Sequence, residues 1–222
     1  MAKRGTLIVF EGLDRSGKST QCALLVDHLR QQGRTVEHMR FPNRSTPIGQ
    51  MINSYLSGQN EAEDHVIHLL FSANRWESAA EIERLVEAGT TVVIDRYYYS
   101  GCVYSAAKGV PGMDLAWCRH PEVGLPRPDV CIFLSISEDT AAQRGGYGGE
   151  RYENQEMQRK VRALFKEMKL GNDEQNDEYV DFNEIDAGRS VEEVRAEIRA
   201  TVEEVMDNVA HGSNACPKVR TW

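Results

Sequence analysis

Residues 12–19 read Gly-Leu-Asp-Arg-Ser-Gly-Lys-Ser and match the pattern G-x-x-x-x-G-K-[ST]. The two glycines let the chain wrap around a ligand with its backbone N–H groups pointing inward. Lys18 is expected to reach the β- and γ-phosphates of a nucleoside triphosphate, and the Ser19 hydroxyl to bind Mg²⁺. The stretch therefore predicts a phosphate-binding loop, called the P-loop below.

The sequence on either side of the P-loop has the periodicity that this motif requires. Residues 6–10 form a continuous apolar run, typical of a strand buried on both faces of a sheet. After the loop, apolar side chains recur at helical spacing, at Cys22, Leu25, Val26 and Leu29. We therefore expect a strand–loop–helix unit, in which the start of the helix adds positive potential to the phosphate site.

Strands and helices alternate through the rest of the chain. Further strands are predicted at 35–39, 91–94, 130–136 and 179–185. A helical region of one or two helices is predicted at 64–88, and the last helix begins with a capping box of Ser190 and Glu193. This order predicts an α/β protein with a parallel sheet and helices on both faces.

Composition and charge narrow the class of protein. Thirty-four acidic and 26 basic residues give a formal net charge of −8, which argues against a main role in coating nucleic acid or an anionic membrane. A small anionic substrate remains compatible, because a few arginines can converge on one cleft. The sequence shows neither a membrane span nor a signal peptide, so we expect a cytoplasmic protein, with the nucleus as a further location. The five cysteines form no C-x-x-C pair and are expected to stay reduced.

Charged residues follow two of the predicted strands. Asp95 and Arg96 follow residues 91–94, and Arg44 follows the second strand, so both ends lie at the carboxyl edge where ligands bind. Asp95 stands where a carboxylate near Mg²⁺ is expected, and Arg44 and Arg96 suggest a second phosphate group opposite the triphosphate. Arg15, inside the P-loop, would stabilise charge on the transferring phosphoryl group.

The helical region at 64–88 carries two kinds of face. Its predicted core face is an apolar stripe of Val66, Leu69, Leu70, Ala73 and Trp76. Phe71 projects on the other side, with Asn74 and Arg75 three and four residues further on. An aromatic ring beside an amide and a guanidinium suits a nucleobase, although a second packing face is an equal alternative.

The segment 144–153 is rich in glycine and has arginines near both ends. Such a segment suits a lid that closes over bound phosphates and expels water; a plain surface loop is the alternative. We expect one domain over residues 1–209 and a loose tail over 210–222.

Taken together, these segments resemble the thymidylate kinases of the eukaryotic type, over nearly the whole chain. The resemblance is carried by FEGLDRSGKST at 10–20, FPNRST at 41–46, HLLFSANRWE at 68–77, DRY at 95–97, SG at 100–101, VGLPRPD at 123–129 and ERYE at 150–153. It implies a P-loop nucleoside-monophosphate kinase fold with a five-stranded parallel sheet, a homodimer, and Mg²⁺-assisted transfer of the ATP γ-phosphoryl group to dTMP.

The resemblance also assigns roles on the acceptor side. Phe71 stacks on thymine, Arg75 bonds its O4, and Tyr152 lines the nucleoside pocket. Tyr104 crowds the position of a 2′-hydroxyl, and Asp14 holds the 3′-hydroxyl. The full acceptor set is Asp14, Phe41, Pro42, Arg44, Phe71, Asn74, Arg75, Arg96, Ser100, Gly101, Tyr104 and Tyr152.

On the donor side, the resemblance implies that Arg15 is the catalytic arginine, since residues 145–150 contain no basic side chain. The implied catalytic residues are Arg15, Lys18, Asp95 and Arg96, and the implied metal ligands are Ser19 and Asp95. The implied ATP-binding residues are Gly12, Asp14, Arg15, Ser16, Gly17, Lys18, Ser19, Thr20, Arg144 and Arg189.

Other classes of P-loop protein fit the sequence less well, among them a non-catalytic nucleotide-binding module, which would give no reason for the lid and the second anion site. A deoxynucleoside kinase acting on thymidine would need a base for the 5′-hydroxyl, for which Glu11 is the candidate, and would have no use for an acceptor phosphate site. A regulatory GTPase would require the base-reading motif N-K-x-D, which the sequence lacks. Tyr98 and Tyr99 depart from the smaller pair associated with the family and are expected to alter the edge of the nucleoside pocket.

Overall fold

The computed structural model describes residues 3–137, 140–141, 144, 151–152, 154–170, 182–212 and 216–219. Within them, five parallel strands form one sheet in the order β2-β3-β1-β4-β5. The strands are β1 (Leu7–Gly12), β2 (Val36–Arg40), β3 (Thr91–Asp95), β4 (Val130–Ser135) and β5 (Phe182–Asp186). The predicted parallel sheet is confirmed; the first three residues of the predicted fifth strand, 179–181, lie outside the described residues.

The helices agree with the alternation read from the sequence. They are α1 (Lys18–Gln31), α2 (Pro47–Leu56), α3 (Asp64–Glu87), α4 (Tyr98–Ala106), α5 (Leu115–Arg119), α6 (Gln155–Leu170) and α7 (Val191–His211), with a 3₁₀ turn at His120–Glu122. The predicted region at 64–88 is one helix. The capping box of α7 is present, since the Glu193 backbone N–H donates to the Ser190 hydroxyl and the Glu193 side chain accepts from the Ser190 backbone.

Buried side chains cover both faces of the sheet. Because side chains alternate along a strand, Leu7 and Val9 face one layer while Ile8 and Phe10 face the other. The first layer holds α3, α4 and α6, and the second holds α1 and α7. The central strands are therefore covered on both sides, and only their carboxyl ends remain to form a site.

The register of the strands aligns the residues that matter for function. Asp95 at the end of β3 is opposite Phe10 on one side and Arg40 on the other. The P-loop, Arg40 and Asp95 consequently share one edge of the sheet. In the part of the chain that the structure describes, no helix has both the length and the apolar character needed to cross a membrane.

The C-terminal segment differs from the loose tail expected from the sequence. The Pro217 carbonyl accepts a hydrogen bond from the Arg127 N–H (2.7 Å), and Val219 bonds both Leu125 and Gly124 through its backbone (2.9 Å each). Val219 is 2 % exposed and belongs to the first core layer. Residues 216–219, called the C-terminal segment below, are thus docked on the body of the protein by backbone pairing that composition does not reveal.

Candidate active site

The P-loop joins β1 to α1 through two glycines with positive φ. Gly12 has φ +137°, and a Cβ there would stand 2.4 Å from the Leu134 carbonyl oxygen, so only glycine fits. Gly17 has φ +88° and occupies the N-cap of α1. Because glycine brings no capping side chain, the first amides of α1 can serve an anion.

Lys18 is buried at the centre of the loop. Its ammonium donates to the Leu13 carbonyl (2.6 Å) and lies 3.5 Å from the Ser16 hydroxyl. Burial lowers the pKa of Lys18 to about 8, and the nearby Arg96 guanidinium acts in the same direction, while Asp14 and other carboxylates oppose it. A phosphate group bound beside this amine would favour its protonated form, and the ammonium would then offset the phosphate charge.

Ser19 and Asp95 meet where the sequence places a metal site. The Ser19 hydroxyl donates to an Asp95 carboxylate oxygen at 2.6 Å, and Asp95 is 2 % exposed. Hydroxyl and carboxylate oxygens are the hard ligands that Mg²⁺ prefers. The pair therefore fits a magnesium ion that accompanies the phosphates of a nucleotide at the P-loop.

Beside the P-loop, a cavity of about 210 Å³ opens at the same sheet edge. It contains every predicted acceptor residue except Asn74. Its lining consists of Asp14, Arg40, Phe41, Pro42, Arg44, Leu56, Phe71, Arg75, Arg96, Tyr97, Ser100, Gly101, Tyr104, Ser105 and Tyr152. Arginines occupy one part of this cavity, and aromatic rings occupy much of the rest.

The arginine-rich part of the cavity is organised around Arg96. Its φ of +66° is a left-handed conformation, and its guanidinium donates to the Ser100 hydroxyl (3.0 Å) and to the Asp14 carboxylate. Burial disfavours the Asp14 carboxylate, but the charges of Arg96 and Lys18 outweigh it and lower the pKa of Asp14. Both groups are therefore held charged at the boundary between the P-loop and the cavity.

Two further arginines reach this part of the cavity. Arg44 donates to the Asn53 side chain (2.8 Å), and Arg40 lies with its Nε 3.7 Å from the Asp95 carboxylate. Arg40 was missed in the sequence, although its place at the end of β2, opposite Asp95, was a usable signal. Arg40, Arg44 and Arg96 thus all line the cavity beside the P-loop, and their charges suit an anionic group.

At the aromatic part, Arg75 is a buried guanidinium held by a carboxylate. Its Nε and Nη2 donate to the two oxygens of Glu122 at 2.8 and 2.5 Å, and the side chains are 3 % and 0 % exposed. Gly101 packs against it, since a Cβ there would stand 2.5 Å from Nη2. Glu122 was not found from the sequence, because nothing in its spacing links it to a residue 47 positions earlier.

Asn74 lies outside the cavity and has a different task. Its side-chain oxygen accepts from the Asn43 N–H (2.7 Å), and its amide donates to the Asn43 carbonyl, the Thr46 hydroxyl and Glu77 (3.2, 3.0 and 2.9 Å). It is 1 % exposed. Asn74, three residues after Phe71 on α3, thus fastens the loop carrying Phe41–Thr46 and does not line the cavity.

Tyrosines and a glutamine complete the wall. The Tyr104 hydroxyl donates to Asp14 (3.3 Å), and its ring lies 5.7 Å from that of Tyr152 between centroids. Gln158 on α6 donates to Asp14 (2.8 Å) and to the Tyr152 carbonyl (3.2 Å). Gln158 was missed because α6 is far from the recognised motifs in sequence.

Arg144 and Arg189 lie on the far side of the P-loop. Arg144 donates to the Arg15 carbonyl (3.0 Å) and to the Ala187 carbonyl (2.7 Å). Arg189 donates to the Asp186 carbonyl (3.1 Å) and pairs with Glu197. Arg144 thus bonds the loop after β5, to which Arg189 belongs; their placement beside adenine stays a prediction. Residues 145–150 and 153 of the predicted lid lie outside the described residues.

The apolar stripe of α3 does not form its core face. Val66, Leu69 and Trp76 are 50 %, 46 % and 43 % exposed, whereas the polar His68 and Arg75 are buried. The prediction of a core stripe was therefore wrong, because the buried face of this part of α3 includes polar side chains that have hydrogen-bond partners in the neighbouring elements.

Tyr98 and Tyr99 likewise depart from expectation. Both are 2 % exposed and lie in the core, with their rings stacked at 4.1 Å. The cavity is lined by Tyr97 instead, so the expected effect of this pair on the edge of the pocket was wrong.

Comparison with known proteins agrees with this geometry. The family model described as thymidylate kinase matches residues 10–198. Thymidylate kinase of Danio rerio is 47 % identical over 92 % of both chains, and that of Schizosaccharomyces pombe is 50 % identical over 88 % of this chain and 90 % of its own. A solved thymidylate kinase from Candida albicans has a TM-score of 0.85 at 34 % identity, covering 99 % of this chain and 100 % of that one. The chain belongs to the thymidylate kinase family.

Proposed function

We propose that the cavity beside the P-loop is the acceptor site at which this chain carries out the activity of its family, the phosphorylation of dTMP to dTDP by ATP. The observation that carries the assignment is the group of three arginines, Arg40, Arg44 and Arg96, around one space next to the P-loop. A kinase whose acceptor already bears a phosphate needs such a second anion site. An acceptor without phosphate gives no reason for it.

On the donor side, the P-loop from Gly12 to Thr20 binds the phosphates of ATP through backbone amides and Lys18. Ser19 and Asp95 hold the magnesium ion, which when bound neutralises charge on the β- and γ-phosphates. Arg144 and Arg189 flank the adenine. This assignment is supported by their contacts around the loop after β5.

On the acceptor side, Arg44 and Arg96 hold the 5′-phosphate of dTMP, and Asp14 accepts the 3′-hydroxyl. Tyr104 stands beside Asp14 (3.3 Å), where its ring leaves little room for a 2′-hydroxyl. Discrimination against ribose is thus steric: Asp14 fixes the sugar through its 3′-hydroxyl, and the Tyr104 ring then excludes a 2′-hydroxyl.

The base is read at the aromatic part of the cavity. Phe71 stacks on thymine and Arg75 donates to its O4, while Pro42 contacts the 5-methyl group and Tyr152 closes the pocket. Support comes from the position of these side chains in the lining. Because Glu122 takes two donors of Arg75, the guanidinium is fixed in orientation and presents its remaining N–H groups.

Catalysis requires positioning and charge compensation more than covalent chemistry. Lys18 and Arg15 stabilise negative charge on the transferring γ-phosphoryl group, and Arg96 bridges the acceptor phosphate to Asp14. Arg15 has φ +68° inside the P-loop, so a left-handed turn sets where its side chain leaves the backbone. Proximity of the two phosphates then supplies much of the rate.

We also infer that the protein is a homodimer, as the resemblance implies. The exposed apolar face of α3, formed by Val66, Leu69 and Trp76, is the surface that a second copy would bury. Light scattering tests this: Leu69→Glu should shift a dimer towards monomer, whereas a monomer at all concentrations in the unsubstituted chain would contradict it. A cytoplasmic location, extending to the nucleus, fits the free state of the five cysteines.

The deoxynucleoside kinase is not favoured. The Glu11 carboxylate is 0 % exposed and accepts from the N–H groups of Tyr97 and Ser100 (2.9 and 3.0 Å) and from the Ser100 hydroxyl (2.5 Å). It anchors the start of α4 and is not among the residues that line the cavity. A carboxylate so engaged is no base for a 5′-hydroxyl.

The experiment is a coupled ADP-release assay with ATP and Mg²⁺, comparing dTMP, dUMP, UMP and thymidine at equal concentration. Strong turnover of dTMP, weaker turnover of dUMP and little of UMP or thymidine is expected. Turnover of thymidine without dTMP would remove Arg44 and Arg96 from the acceptor-phosphate role.

A further inference from the structure

We propose that the C-terminal segment positions Arg75 for base recognition, by holding in place the turn that carries Glu122. The proposal rests on the proposed role of Arg75 in reading thymine. It assigns a function in substrate selection to residues that do not line the cavity.

The first step is the contact between the C-terminal segment and the turn. Val219 donates its N–H to the Leu125 carbonyl and accepts from the Gly124 N–H, each at 2.9 Å. The Leu125 N–H in turn donates to the Glu122 carbonyl at 3.1 Å. A continuous path of backbone hydrogen bonds therefore runs from Val219 to the residue that holds Arg75.

The second step is that the same segment also reaches the helix carrying Arg75. The Lys218 ammonium pairs with Glu83, which lies eight residues after Arg75 on α3. The Trp76 indole N–H donates to the Pro121 carbonyl (2.7 Å), next to Glu122. The segment thus spans α3 and the turn, and so links the two elements that supply the buried ion pair.

The third step is the sensitivity of that pair to position. A buried guanidinium and carboxylate are stabilised only while their two hydrogen bonds keep good geometry. Gly101 packs directly against the guanidinium, and two of its donors are held by Glu122, so the position of Arg75 depends on the position of the turn. A small displacement of the turn would therefore alter the donors offered to the base.

The test uses Val219→Ala, which keeps the backbone hydrogen bonds but removes the buried side-chain packing that seats the C-terminal segment on the core, with Val191→Ala as an exposed control. Val191 is 48 % exposed at the start of α7 and takes no part in the docking. The KM values for dTMP and ATP, kcat, and the ratio of kcat/KM for dTMP over dCMP are measured for each. dCMP has an amino group in place of O4 and also lacks the 5-methyl group, so dUMP, which lacks the methyl group alone, is measured beside it, and the part of the ratio that remains between dUMP and dCMP reports on Arg75.

The expected result for Val219→Ala is a rise in the KM for dTMP of roughly threefold to tenfold, the range for residues that act through others. The dTMP-over-dCMP ratio should fall by a similar factor, while the KM for ATP and kcat stay within about twofold. Val191→Ala should match the unsubstituted enzyme. An unchanged KM for dTMP and an unchanged ratio would overturn the proposal, as would an equal rise in both KM values.

Two more variants keep the test decisive. If Val219→Ala does not fold, Lys218→Ala replaces it; a smaller rise in the KM for dTMP supports the proposal and no change contradicts it. Arg75→Lys distinguishes a failure of the proposed base-reading role of Arg75 from a failure of the proposed positioning role of the C-terminal segment. If it keeps the dTMP-over-dCMP ratio, the base-reading role fails; if it loses the ratio and Val219→Ala keeps it, only the role of the C-terminal segment fails.

Discussion

Helices α1 and α3 both bring residues to the site, but only α1 buries the apolar stripe that its sequence periodicity predicts. α1 buries the apolar Cys22 and Leu25 against the sheet, as its periodicity predicts. α3 buries His68 and Arg75 and leaves Leu69 exposed. Hydrophobic periodicity is sufficient where a helix only covers the sheet, whereas the part of α3 beside the cavity also buries polar groups with specific partners, such as Arg75 with Glu122.

The largest effect on catalysis is expected in the P-loop, which leads into α1. Arg15→Ala should lower kcat by about 10³-fold or more with little change in the KM for ATP, because the guanidinium acts on transition-state charge. Steady-state kinetics measure this, with the exposed arginine variant Arg84→Ala as control. A change confined to the KM for ATP would indicate uniform binding of substrate instead.

The buried charge on α3 should give the next largest effect. Glu122→Ala leaves the Arg75 guanidinium buried without its carboxylate, and the free energy of unfolding should fall by about 3–5 kcal/mol. Urea denaturation measures it. Glu81→Ala removes an exposed partner of Arg84 from the same helix and should change stability little. Equal losses in both variants would contradict the difference between the two faces of α3.

The buried imidazole of His68 on α3 should make the stability of the protein depend on pH. Its ring accepts from the Ser105 hydroxyl (2.8 Å) and donates to the Cys118 carbonyl (2.9 Å), and burial together with the Arg75 charge lowers the pKa of His68 to about 4. The unfolded chain takes up this proton near pH 6.5, so stability falls as the pH drops from 6.5 to 4, by up to about 3 kcal/mol.

Urea denaturation at a series of pH values measures this loss. His68→Gln should flatten the pH dependence in that window, whereas His65→Gln, on the same helix but at its partly exposed start, should retain it. An identical slope in the His68 variant and in the unsubstituted protein would rule out the buried imidazole as the source.

The smallest loss of stability is expected at the N-terminal cap of α7, whose capping box is evident from the local sequence. Ser190→Ala removes the cap of α7 and should cost about 1 kcal/mol of stability, with no change in the KM for either substrate. Thermal or urea unfolding measures the loss. A shift in the KM for ATP would mean that the loop before α7, which contains Arg189, depends on this cap.

Most of the sheet and the P-loop followed from the sequence because their signals are local. A buried strand needs only neighbouring apolar residues, and the P-loop needs only glycines, Lys18 and Ser19 in order. The position of Asp95 followed as well, since the carboxyl ends of parallel strands share one edge.

The remaining features arise from contacts between distant residues. Glu122 pairs with Arg75, Gln158 with Asp14, and Val219 with Leu125, and none of these pairs leaves a periodic trace in the sequence. The apolar stripe of α3 was wrongly predicted to face the core for the same reason. Periodicity identifies an apolar face but does not say which part of the protein covers it.

The central claim is that the buried pair of Arg75 and Glu122 serves recognition of the acceptor base. The double variant Arg75→Met with Glu122→Leu tests it most directly, because exchanging both members of a buried ion pair for apolar side chains leaves stability nearly unchanged. The account predicts a folded enzyme whose KM for dTMP rises about tenfold or more while its KM for ATP is unchanged. A folded enzyme with an unchanged KM for dTMP would show that the pair serves the fold alone.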